Sequence, residues 1–337
     1  MKKFTSLVGS IFIGLITSYG QDAHLRLCIW DGEWMNEVKN NLNQEDSPFI
    51  PARETLLQEA DQVLNGGVYS VTFKDITPPG GNKHDYMSMG PYWWPDSDKD
   101  DGLPYIGRDG EVNPERNTLD NVQMRNMINS VRVLALAWYF SGETSYAQKA
   151  VQLIDTWFLD PVTYMTPHLQ YGQAIPGRTN GRFIGIIDAR SFATLVDAIT
   201  VIESSHALSA KQSEGIKSWF EKYFKWLTES EFGKEEEDYI NNHSVAYDVQ
   251  AGAIAFYLGK ESYVTKKVLE VPGRRIDHMI VQDGSQPHEL IRTKAYGYSV
   301  SNLTNFFDIA TIGLKAMSIF FIIKTTRVDP FKKPLIT

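Results

Sequence analysis

The sequence predicts an all-α protein, an incomplete α/α toroid of helical hairpins with long functional loops gathered at one end. Three observations lead there. Beyond Asn117, apolar residues recur at helical spacing in one segment after another. The links between those segments alternate between short and long, as antiparallel helix pairs require. Strand signals are scarce, and no fixed-period repeat suggests a solenoid.

In chain order, residues 47–65 read as a helix. Ser47 can cap it, Leu56, Leu57, Ala60, Val63 and Leu64 form its apolar face, and Gly66-Gly67 stops it. Residues 70–117 have no period and are rich in Gly, Pro, Asp and Asn. The aromatics from Tyr86 to Tyr105 argue that this loop is ordered and functional. Leu119 to Ser141 is helical, with Met124, Met127, Ile128, Val131, Leu134 and Trp138 on its face, and a turn at Gly142-Glu143-Thr144 leads to a partner over 145–158. A polar, Gly- and Pro-rich insertion fills 159–183. Helices are predicted again at 184–206, 209–229, 243–258, 261–281 and 299–323.

The ends have their own character. Lys2-Lys3 followed by an apolar run from Leu7 to Thr17 reads as a secretory signal peptide over 1–20, cleaved near Gly20, because the run is too short to span a bilayer. The expected domain is 21–323, and a basic tail with Pro330 and Pro334 over 324–337 shows no packing pattern. A periplasmic or secreted protein follows, with no membrane partner after cleavage. Cys28 is the only cysteine, so no internal disulfide forms, and it reads as a small buried hydrophobe.

Net charge is −8, which argues against nucleic acid and anionic membranes. An anionic ligand would need positive charge gathered locally. The loop Lys83-His84-Asp85-Tyr86 through Trp93-Trp94-Pro95-Asp96 offers that mixture. Aromatic faces there suit the apolar faces of sugar rings, and Lys83 and His84 suit a carboxylate. The tryptophans fit a hydrophobic plug equally well. Arg116 and Asn117, at the start of a helix, form either an anion site or an ordinary cap. Gln173, Arg178 and Arg182 make the 159–183 insertion locally polar and basic.

The strongest signals are two polar clusters. Asn241-Asn242-His243 opens an apolar helix, where amides and an imidazole can neutralise one carboxylate and so acidify the adjacent C–H. Read alone, it is also an Asn cap followed by a satisfied histidine. Asp283 to Tyr298 holds His288, Glu289, Arg292, Tyr296 and Tyr298 after a turn. A tyrosine beside arginine can serve as general base and then acid. Tyr298 is the first choice and Tyr296 competes with it. No phosphate loop, dinucleotide fingerprint or clustered metal-ligand motif is present, so neither cofactor nor metal is expected.

The segments "KHDYMSMGPYWWPD", "NNHS" and "DGSQPHELIRTKAYGY", in this order, resemble the alginate-lyase superfamily of polysaccharide lyases with an α/α toroid fold, polysaccharide lyase family 38 above all. The resemblance covers roughly residues 50 to 315. It implies a lyase acting by β-elimination on a β-1,4-linked polyuronate, alginate of the poly-mannuronate type first. Asn242, His243 and Arg292 would neutralise the C5 carboxylate, and Tyr298 would be base and acid. For guluronate the base would be His243. The related mannuronate-cleaving enzymes space Arg and Tyr one residue further apart. The alternatives are a glucuronan lyase, an α/α glycoside hydrolase using a carboxylate pair drawn from Asp188, Asp248, Asp283 and Glu289, and a non-catalytic polyuronate-binding protein.

Overall fold

The structure, a computed structural model, describes residues 25–326, with side-chain environments up to residue 318. The signal-peptide expectation and most of the tail lie outside these residues. Twelve α-helices occur among the described residues: α1 (Gly32–Asn41), α2 (Ile50–Leu64), α3 (Asp120–Ser141), α4 (Thr144–Phe158), α5 (Phe192–Ser204), α6 (Ala210–Glu229), α7 (Glu231–Glu237), α8 (Asn242–Tyr257), α9 (Glu261–Val271), α10 (Asp277–Met279), α11 (Pro287–Leu290) and α12 (Ala295–Thr326). Four short strands lie in the loops: β1 (Met87–Met89), β2 (Trp93–Trp94), β3 (Ile106–Gly107) and β4 (Tyr171–Ala174).

The helices form the predicted α/α toroid. An inner row runs α3, α5, α8, α12, each packed on the next, with α2 and α4 backing α3 and with α9 backing α8 and α12. Sequence explains the central place of α8. Most of its residues are apolar or small, and fourteen of the sixteen are buried, as a helix with no solvated face must be. Its small residues let neighbours close in: a Cβ on Gly252 would meet Ile309 of α12 at 3.1 Å. Phe158, Phe192, Phe220, Trp219 and Tyr223 interlock beside it, with the Trp219 and Tyr223 rings stacked at 5.3 Å. Each such ring contributes about 1.5–3 kcal/mol through burial. Among the described residues no helix is long and apolar enough to cross a membrane.

Local chemistry sets the helix ends. Ser209 and Gln212 form a reciprocal capping box at α6. Gly142 ends α3 at φ 76°, where a side chain would be strained. The buried Asp197 carboxylate of α5 accepts the backbone N–H groups of Cys28, Ile29 and Trp30, which straps the N-terminal segment onto the toroid and buries Cys28 as expected.

Several boundaries differ from expectation. α1 and α7 were unforeseen; α1 is short and rests on the Asp31 cap, whose carboxylate accepts the Trp34 N–H. The helix expected over 184–206 starts as a 3-10 stretch at Phe183–Ala189 before α5. There Gly185 lies against Gly172 so closely that a Cβ would sit 2.5 Å from its backbone. The 261–281 helix breaks at Pro272, which has no N–H to give, and passes through a π-helical turn into α10. α12 begins four residues before the expected 299 and continues to Thr326, past the expected start of the irregular tail. The strands were not expected either. β1 pairs in parallel with β4, which ties the two long loops together, and β2 pairs antiparallel with β3 within the first of them.

Candidate active site

The two polar clusters and the two long loops meet around one cleft of about 750 Å³. Arg108, Arg116, Arg182, Arg190, Arg292 and Lys294 line it, opposed only by Asp109 and Asp188 among the acids. In a protein of net charge −8 this is the local gathering of positive charge that an anionic ligand demands.

The start of α8 forms one wall. Asn241 is the cap, its side-chain oxygen accepting the His243 N–H at 3.1 Å. Asn242 is buried, its backbone N–H donating to Glu289 at 2.7 Å, and its own Oδ1 has no partner. His243 exposes 15% of its side chain and holds Nδ1 2.9 Å from Oε1 of Glu236. Burial pushes the Glu236 carboxyl up, and His243 pulls it back down.

The opposite wall comes from the residues before α12 and its first turn. The Tyr298 hydroxyl lies 2.7 Å from that of Tyr92 and accepts from Arg292 Nη2 at 3.3 Å. The Arg292 guanidinium also covers the Tyr298 ring, 4.5 Å from its centre. Burial and the Tyr92 hydroxyl push the Tyr298 phenol up, while the Arg292 charge pulls it down. Arg292 is itself anchored by Asp109, 2.8 Å from Nη2, and Asp109 also accepts from the Thr293 N–H and hydroxyl. Those bonds, the Arg292 one first, hold the Asp109 carboxyl well below the usual range and raise Arg292.

The floor is built by the tied loops. Gln173 sits at φ 49°, a conformation that costs a residue with a side chain on the order of 1 kcal/mol. The strain aims its amide: Nε2 donates to Asp188 at 3.0 Å and Oε1 accepts from Arg182. Asp188 also accepts from Tyr86 and Ser88. The guanidinium groups of Arg178 and Arg182 lie 5.4 and 5.8 Å from the centre of the Trp93 ring.

Asn242, His243, Arg292, Tyr298, Trp93, Arg116, Gln173, Arg182 and His288 therefore share the cleft. The remaining predicted contacts do not line it, for identifiable reasons. Lys83 donates to the Lys74 carbonyl, and His84 stacks on Tyr164 and bonds its carbonyl. Tyr86 is fully buried beneath the floor, its hydroxyl spent on Asp188. Trp94 turns outward, donating to the Glu111 carbonyl. Asn117 is exposed in a 3-10 turn that Asn113 caps, and α3 starts beyond it at Asp120. Arg178 donates to the Tyr105 carbonyl and lies over the Trp93 ring. Glu289 is buried behind α8, and Tyr296 is 84% exposed and points away.

Nor do the four carboxylates named from the sequence come together in the cleft as a pair. Asp248 is buried in a bidentate pair with Arg275 at 2.7 and 3.1 Å, Glu289 is buried behind α8, and Asp283 sits in an exposed turn. Only Asp188 of the four lines the cleft.

Sequence reasoning missed Tyr92, Asp109 and Glu236. Tyr92 was visible in the quoted aromatic loop. Glu236 hides in the run Glu235-Glu236-Glu237, which reads as a solvated face.

A family model described as alginate lyase matches residues 70–316. A crystal structure of an alginate lyase from Bacteroides ovatus is similar at 45% identity, with a TM-score of 0.83, over 87% of this chain and 76% of that one. Alginate lyase A1-III from Sphingomonas species A1 is similar at 18% identity and a TM-score of 0.45, over 82% of this chain and 77% of that one, too loosely to carry residue correspondences. Comparison with curated proteins gives no match. Family model, identity and fold agree: this chain belongs to the alginate lyase family and is a polysaccharide lyase.

Proposed function

We propose that the protein cleaves alginate, poly-mannuronate first, by β-elimination. The observation that carries this reading is the meeting of Tyr298 and Arg292 with Asn242 and His243 across one positively charged cleft. The Asn242 amide, the His243 ring and the Arg292 guanidinium take the uronate carboxylate. Stabilising its charge acidifies the C5 proton, an effect worth most where the donors are already fixed in place.

Tyr298 removes the C5 proton as the phenolate, a form that Arg292 favours against the larger upward push of burial and Tyr92. The electron pair left at C5 forms the C4–C5 double bond as the C4–O4 bond breaks. The proton then returns from Tyr298 to O4 of the leaving chain. One residue suffices as base and acid because in mannuronate both groups lie on one face. Guluronate presents its C5 proton on the other face, where His243 would be the base. Trp93 offers a ring platform to a neighbouring sugar.

Export through the predicted signal peptide fits a polymer that meets the enzyme outside the cytoplasm. The test is incubation with alginate while ultraviolet absorbance of the new double bond is followed. Reducing ends without that absorbance would mean hydrolysis, and neither would leave binding alone; both overturn the reading.

A further inference from the structure

Among the described residues, Glu236 is the one fully buried carboxylate that reaches a side chain of the cleft. It is next to last in α7, has no exposed surface, and brings Oε1 within 2.9 Å of His243 Nδ1. Its Oε2 is buried without a partner. A lone buried carboxylate is costly, so this side chain is held where it is by its one bond to the imidazole.

The surrounding charges do not replace that bond. From the 3-10 stretch, Asp188 is close enough to push Glu236 further up. Arg182 is committed to Gln173. Tyr239 meets the His243 ring edge-on at 5.8 Å, and Tyr223 of α6 donates to Gln250. On α11, Glu289 is bonded to the Asn242 N–H. The neighbouring Glu237 faces outward to Lys267 and Arg274.

We propose that Glu236 is a positioning residue for His243: it keeps the proton on Nδ1, turns Nε2 to the cleft, and holds the ring protonated while a uronate carboxylate is bound. The proposal rests on the neutralising role given to His243 above. Its bond to the imidazole favours the ionised carboxylate against burial, and an ionised carboxylate only accepts, so the nitrogen facing it carries hydrogen. Nε2 is then the nitrogen left for the cleft. With Glu236 ionised and His243 protonated, the pair is neutral overall and presents an N–H donor. With the ring deprotonated, the pair carries one negative charge beside the site of a second. The arriving carboxylate therefore favours the protonated ring, and Glu236 supplies the countercharge.

Two measurements test this. Nitrogen-15 NMR of the imidazoles, with the His243 signal assigned by its loss in His243→Gln, needs no substrate. In the wild type the neutral ring should be the Nδ1–H tautomer, and in Glu236→Gln the ring should release its proton at lower pH. An Nε2–H tautomer in the wild type, or an unmoved titration in the variant, overturns the proposal. The wild-type measurement stands even if the variant does not fold.

The second is the pH profile of kcat. Glu236→Gln should lose 10-fold or more at pH 8 and distinctly less at pH 5.5, below the ordinary imidazole value of about 6.5, where the ring is protonated unaided. A loss equal at both pH values would indicate only a structural role and overturn the proposal. Should the wild type give no unsaturated product while the ring behaves as expected, the elimination reading fails and the hold of Glu236 on His243 stands.

Discussion

The hydroxyl oxygens of Tyr92 and Tyr298 lie 2.7 Å apart, joining a loop near the start of the chain to the first turn of α12. Tyr298 thus has two partners with opposite effects. Tyr92 and burial favour its neutral phenol, while Arg292, 3.3 Å away and over its ring, favours the phenolate.

Replacing Tyr298 by Phe should reduce kcat by about 10²–10⁴-fold, the usual worth of a general acid–base group, with the melting temperature nearly unchanged. Tyr296→Phe should leave kcat within about twofold, because that ring is 84% exposed and outside the cleft. Ultraviolet assay of both variants checks the assignment, and equal losses would defeat it.

The Tyr92 pair has a pH signature. As base, Tyr298 must be ionised, so kcat/KM should rise toward alkaline pH. Tyr92→Phe removes a cause that raises the Tyr298 phenol, so the rise should move to lower pH. Wild-type and variant profiles of kcat/KM measure the displacement; an upward displacement would mean that Tyr92 chiefly donates to the phenolate.

Asp109 pins the loop after β3 to Arg292 and Thr293. Because Arg292 holds its carboxyl well below the ordinary range, the link stays ionised throughout the range in which enzymes are assayed. It loosens only as pH falls below that range. Asp109→Ala should free the loop and the guanidinium together, raising KM by about 10-fold, or about 1.4 kcal/mol of binding. Initial rates over a range of alginate concentrations give the value.

Asp248 separates fold from chemistry. Its bidentate pair with Arg275 is almost wholly buried, with side chains 4% and 3% exposed. Asp248→Ala leaves an uncompensated guanidinium and should destabilise the fold by about 3–5 kcal/mol. Chemical denaturation reads that loss. Activity per folded molecule should stay near the wild-type value, whereas a hydrolase using Asp248 would lose it entirely.

How much was legible beforehand follows from the range of each interaction. The apolar period of α3, α5 and α8, the Gly142 stop and the Asn241 cap are local, set by residues within a few turns of one another, and the sequence alone determined them. Asn242, His243, Arg292 and Tyr298 were legible as candidates, because amides, imidazole, guanidinium and phenol stand in two short clusters of the sequence. Pairings across long separations had no such signal. Tyr92 meets Tyr298, Asp109 meets Arg292, and β1 meets β4 only after the loops close over the toroid. Burial decided the rest. Glu236 looks like a solvated charge and Glu289 like a cleft residue in a string of letters, yet folding buries both at the start of α8, where each has a single partner. It likewise turned Tyr296 out to solvent and Tyr298 in, a choice two residues apart that helical spacing makes only once the helix has something to pack against.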